Sequence, residues 1–191
     1  MCGRFLLGSR NASWPKLDSL HPRGNYLDSD GNVERTESAT MASEEIMDLR
    51  KTVPRSPKDK MLGLVSLKRT IDKAKAHNEG HLGEYDYDCP HDRPLFEFLG
   101  TNGDEFARKV QELDSDQAIA EWIQREHLRK KTPADIERFN EERMRWHPDP
   151  AHQGHYDDLR KSVAPERDDV STWFDLLDLD EHRPVPVATA A

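Results

Sequence analysis

"KDKMLGLVSLKRTIDKAKAHNEG", Lys58 to Gly80, is the stretch whose reading decides the fold. Leu64, Leu67, Ile71 and Ala74 recur at helical spacing and make one apolar stripe. A second stripe holds Leu62, Val65, Arg69, Asp72, Lys73 and Ala76, apolar in its first turns and ionic in its last. Gly80 supplies the stop. The pattern predicts a helix from Lys58 to Asn78, flanked by protein on two sides. Pro54 and Pro57 bring the chain to it in an extended conformation.

Immediately downstream, "LGEYDYDCP" puts Tyr85, Tyr87 and Cys89 on one parity and Glu84, Asp86 and Asp88 on the other. That alternation predicts a short half-buried strand over residues 84–89, packed on the Leu64–Ala74 stripe. "CPHDRPLFEFLG" then reads as a short buried helix with Asp92 as N-cap, Leu95, Phe96, Phe98 and Leu99 inside, and Gly100 closing it. Asp104 is the expected cap of the next helix. Asp114 or Ser115 is expected to cap the one that points Ala118, Ile119, Trp122 and Ile123 inward. Thr132, Pro133 and Asp135 have the spacing of a capping box with proline in the first helical position. The Pro- and His-bearing run from His147 to Asp169 reads as a long connection. Trp173, Phe174, Leu176 and Leu177 mark a last short helix.

Residues 1–45 carry no periodic apolar pattern and are dense in Ser, Asn, Asp, Gly and Pro. They read as a disordered extension, and Met41 could itself open a protein, so residues 1–40 also fit an over-called start. Residues 183–191, "RPVPVATAA", read as a disordered tail. Between these lies a single domain, residues 46–182. The expected fold class is mainly α: a small helical domain with one short β element.

The chain has 191 residues and a net charge of −9, with 37 acids against 28 bases. That balance speaks against nucleic acid as a partner, because phosphate binding needs a basic surface. No apolar run approaches the 18 residues or so of a membrane span. No membrane partner is expected, and cytoplasmic is the expected location. Two cysteines make no disulfide framework, and Cys2 and Cys89 read as reduced thiols. There is no P-loop, no G-x-G-x-x-G and no G-x-S-x-G, so no cofactor is expected.

Four blocks, taken in order, carry a resemblance: "RSP…LGLVSLKRTIDKAKA", "GEYDYDCPHDRPLFEFLG", "AEWI…KTPADIERFN" and "STWFDLLDLDE". They resemble the bacterial family known as domain of unknown function 5069, from about Pro54 to Glu181. The resemblance implies a small, mostly helical domain of cytoplasmic type and no particular activity. The opening "MCGRF" is similar to the start of the SOS-response-associated peptidase-like family, whose N-terminal cysteine captures abasic sites. That similarity ends after five residues, and the Trp-rich blocks of that family do not follow.

Arg69, Asp72 and Lys73 share one helix face at i, i+3 and i+4, and with Tyr85 they form a candidate ligand site. Arg69 would serve as a fork for an acidic small molecule or a partner protein's carboxylate. The same residues also suit a clamp that only holds the helix to its neighbour. Cys89, with a histidine as base, and Glu84, as acid–base, are the catalytic candidates, and whether the chain is an enzyme stays open. Buried packing is the alternative for Cys89. His147, Asp149, His152 and His155 have metal-ligand chemistry, but no recognised metal-site spacing, and no metal is expected. The acidic C-terminal helix would suit a protein–protein adaptor. Oligomeric state is not readable from the pattern.

Overall fold

The computed structural model describes residues 47–113 and 115–187. These residues form seven helices: α1 Leu67–Asn78, α2 Arg93–Leu99, α3 Gly103–Glu112, α4 Asp116–Glu126, α5 Pro133–Met144, α6 Gln153–Val163 and α7 Trp173–Asp180. The expected extension and the "MCGRF" start lie outside the described residues. No helix among the described residues is long and apolar enough to cross a membrane.

The decisive stretch is helical only in its second half. Leu62, Gly63 and Ser66 have φ of 53°, 80° and 67°, all in the left-handed region that a right-handed helix cannot use. Glycine enters that region at no steric cost, so Gly63 ends any helix attempted from Lys58. Met61 and Leu64 instead exchange backbone hydrogen bonds of 3.1 and 2.9 Å as an isolated bridge. Two more of the loop's backbone groups are met from α5. The Asn140 side chain accepts from the Val65 N–H at 3.0 Å and donates to the Gly63 carbonyl at 2.7 Å. Side-chain amides can close a loop in this way where no helix ladder is available. Leu64 and Val65 are still fully buried, so the apolar pattern reported burial correctly and local structure wrongly.

From Leu67 onward the expectation holds. Leu67, Ile71 and Ala74 lie in a core with Phe96, Phe106, Trp122, Ile123, Phe139 and Phe174. Phe106 anchors it, its ring 5.4 Å from Phe96 and 5.8 Å from Trp122. Each such side chain removed from water contributes roughly 1.5–3 kcal/mol before entropy is subtracted. α1 packs on α3, and Asn78 donates to the Ala107 carbonyl at 2.9 Å to fix their register. A smaller cluster, Tyr156, Val170, Leu176 and Val185, joins α6 to α7.

Other expectations change in detail. Residues 84–89 form turns, and no strand occurs among the described residues. Gly83 and Asp88 have φ of 62° and 55°, which breaks an extended run at both ends. Burial still alternates: Tyr85 and Cys89 are buried and Glu84, Asp86 and Asp88 are exposed. A packed loop has reproduced the pattern of a strand. α3 is capped by Asn102, whose side chain accepts from the Glu105 N–H at 2.9 Å, and not by Asp104. Ser115 caps α4, and the Thr132–Asp135 capping box opens α5. The expected long connection contains α6, whose Tyr156, Leu159 and Val163 stand at i, i+3 and i+7 and pack inward. The prolines and histidines around it hid that stripe. Of the tail, residues 183–187 are described; the Arg167 guanidinium holds the Val185 and Pro186 carbonyls at 2.9 and 3.1 Å.

Candidate functional site

The ionic face of α1 looks onto three segments: residues 54–58, the loop 85–92 and the C-terminal end of α7. Burying charge there is costly unless each ion is matched. Arg69 is matched by Glu181 through two hydrogen bonds of 2.8 and 2.6 Å, with both side chains almost wholly enclosed. Burial opposes the Arg69 charge, but Glu181 outweighs it and holds the guanidinium above its ordinary pKa. The same cation lies 5.7 Å from the centre of the Tyr85 ring. Asp72 takes the Arg55 backbone N–H at 2.8 Å and the Arg55 Nε and Nη2 at 2.9 and 2.6 Å. Arg55 also pairs with Asp116, and Lys75 reaches the other oxygen of Asp116 at 3.2 Å.

Lys73 is the most enclosed lysine of the face. Its Nζ stands 2.5 Å from Asp92 and 3.4 Å from the Cys89 sulfur. Burial lowers its pKa, and Asp92 works in the opposite direction. Asp92 stands at the N-cap position of α2, as expected, yet its carboxylate makes no capping bond and serves Lys73 and Thr70 instead. On the far side, Ser56 donates to Asp178 at 2.8 Å, Lys58 bridges Asp175 and Asp178, and Arg183 reaches Glu181 and the Pro54 carbonyl. The expected ligand residues Arg69, Asp72, Lys73 and Tyr85 thus come together, within a frame of internal ion pairs.

The remaining candidates are scattered. Glu84 is exposed on the loop. Cys89 is buried and disulfide-bonded, which corrects the expectation of a reduced thiol there. Cys2 lies outside the described residues. His152 pairs with Asp149 at 2.8 Å, and His147 contacts the Ser171 carbonyl at 3.0 Å. Among the described residues no group of three or more His, Cys, Asp or Glu could hold a metal ion. In α7, Phe174, Leu176 and Leu177 are buried and Trp173 is half-buried.

One residue escaped the sequence reading. Arg143, near the end of α5, is 7% exposed, and its Nε and Nη2 are buried without a hydrogen-bond acceptor. Its guanidinium lies 4.0 Å from the Trp146 ring centre and 5.6 Å from that of Phe174. Burial lowers its pKa to about 10, only partly offset by Asp92 and Glu142. His91 packs edge-on to Trp146 and Trp173 at 4.6 and 5.5 Å, and its Nδ1 is also buried without a partner. Burial, reinforced by Lys73 and Arg143, holds its pKa well below the ordinary histidine value. The signal within reach was the spacing of Arg143 and Trp146, three residues apart across the end of a helix, which suits a cation–π pair.

No curated protein matches the chain. The family model described as "Domain of unknown function (DUF5069)" matches residues 51–183, which take in the α1 frame and the Arg143 node together, and the chain belongs to that family.

Proposed function

We propose that this domain is a binding module for an anionic group, carried by a small molecule or by a partner protein, with Arg143 as its anchor. One observation carries the reading. Of the three buried cations among the described residues, Arg69 and Lys73 are each matched by a carboxylate, and Arg143 forms no ion pair. A buried charge without a partner costs stability, and such strain is concentrated where a protein does its work. His91, Trp146 and Trp173, which stand around it, are half-buried. The α1 frame then has a supporting role: it holds the 85–92 loop and α7 in place around Arg143.

The test is thermal denaturation and calorimetry of the whole protein at constant ionic strength, with chloride replaced in turn by acetate, benzoate and phosphate. Stabilisation by at least one of these anions, lost in Arg143→Met, supports the reading. No stabilisation by any of them overturns it.

A further inference from the structure

Resting on that reading, we infer that the Arg143 node is a site for one planar monocarboxylate with an apolar or aromatic body, held side-on by the guanidinium and walled by Trp146 and Trp173.

Three arginines of the same chain show what this edge of a guanidinium does. Arg50 grips Asp48 through Nε and Nη2 at 2.7 and 2.9 Å. Arg55 grips Asp72 through the same two nitrogens, and Arg167 grips Asp169 the same way at 2.7 and 2.9 Å. In each, two parallel N–H groups meet two carboxylate oxygens, the bidentate geometry that makes arginine selective for planar acids. In Arg143 it is again Nε and Nη2, and there both are buried and meet no acceptor. Trp146 lies 4.0 Å from the guanidinium carbon, and the edge that carries Nε and Nη2 is where a carboxylate would meet it in plane, as in the three pairs above.

Charge balance narrows the class further. Near Arg143, Lys73 is neutralised by Asp92 and Arg69 by Glu181. His91, its pKa depressed, is neutral at pH 7 and adds no charge. The Arg143 guanidinium itself therefore has one positive charge to match. A monocarboxylate cancels it. Phosphate, with about −1.5 to −2 charge at neutral pH, would leave a buried excess of negative charge. The indoles of Trp146 and Trp173 stand 5.9 Å apart, with Phe174 against the guanidinium, so the body behind the acid meets aromatic surface. The unpartnered Nδ1 of His91 offers one further polar contact. Its neutral ring can donate or accept there, according to tautomer.

The experiment titrates the whole protein with sodium benzoate, sodium acetate and sodium phosphate by calorimetry and by tryptophan fluorescence, at fixed ionic strength. Wild type is compared with Arg143→Met, Arg143→Lys and the exposed-site control Arg138→Met. We expect benzoate to bind at least tenfold more tightly than phosphate and more tightly than acetate, with Trp fluorescence changing on binding. Both Arg143 variants should lose at least tenfold in benzoate affinity, while Arg138→Met should not. Arg143→Lys keeps a cation and removes the side-on edge, so its loss separates geometry from charge, and a cooperative urea transition in each variant shows that it is folded. Phosphate binding as tightly as benzoate, and lost in Arg143→Met, overturns the carboxylate assignment and leaves the anion-binding reading standing. Benzoate binding unchanged in both Arg143 variants overturns the site. Absence of binding by all three anions overturns the assignment together with the reading beneath it.

Discussion

Two buried arginines in this domain sit in opposite circumstances. Arg69, on α1, meets Glu181 through two short hydrogen bonds, and its pKa is raised. Arg143, on α5, is enclosed by indole and phenyl rings, and its pKa is lowered. Both were removed from water, and only one was given a counter-charge. An ion pair inside a protein roughly offsets its own desolvation, so Arg69 serves orientation: it ties α1 to the end of α7 across 112 residues of sequence. Arg143 makes no such tie and is carried at a cost. The difference teaches that the charge most visible in a helical pattern is the one used for construction, and the charge left without a counter-ion lies elsewhere.

Removing one side chain from each place gives the sharpest contrast. Arg69→Met leaves the buried Glu181 with Arg183 as its remaining cation, and should cost about 3 kcal/mol by urea denaturation. Adding Glu181→Leu should restore a large part of that loss. If Arg69→Met and the double variant are equally unstable, Arg69 does not act through Glu181 and the comparison collapses. Arg143→Met removes an unmatched charge and keeps most of the apolar contact with Trp146, so in the absence of ligand it should be neutral or raise stability by up to about 2 kcal/mol. A loss comparable to that of Arg69→Met would show that Arg143 is structural after all.

The pH dependence sharpens the same contrast with a smaller effect. His91 has a folded pKa well below 6.5, so between these values the unfolded chain binds a proton that the folded chain does not. Its contribution to stability is therefore intact above pH 6.5 and is lost as the pH falls below it, by at most about 1.4 kcal/mol per unit. His91→Phe should flatten that part of the stability curve, measured by urea unfolding from pH 8 to pH 5. An unchanged slope would place His91 in contact with water and remove it from the node.

Much of this was legible in the chain. The helical class followed from apolar spacing at 3.6 residues, and the caps at Ser115, Thr132 and Pro133 followed from local hydrogen bonding that needs no distant partner. The two-sided burial of α1 was readable too, since its second stripe turns ionic where it meets other charged segments. The 84–89 alternation predicted burial correctly and a strand wrongly, because inside–outside alternation is compatible with any packed extended turn and a sheet needs a second strand. α6 was present as Tyr156, Leu159 and Val163, but its histidine- and proline-rich surroundings outweighed three apolar residues.

By itself, then, the sequence determined most of the segments that coil into helices, most of the apolar side chains that leave water, and the family that the domain joins, because each rests on near-neighbour chemistry or on ordered blocks along the chain. Only the tertiary structure decided which charge meets which. Glu181 stands 112 residues from Arg69, and Asp92 stands 19 from Lys73. Pairing over such separations is set by how helices pack, and so is the buried Arg143 guanidinium, to which that packing supplies no carboxylate among the described residues.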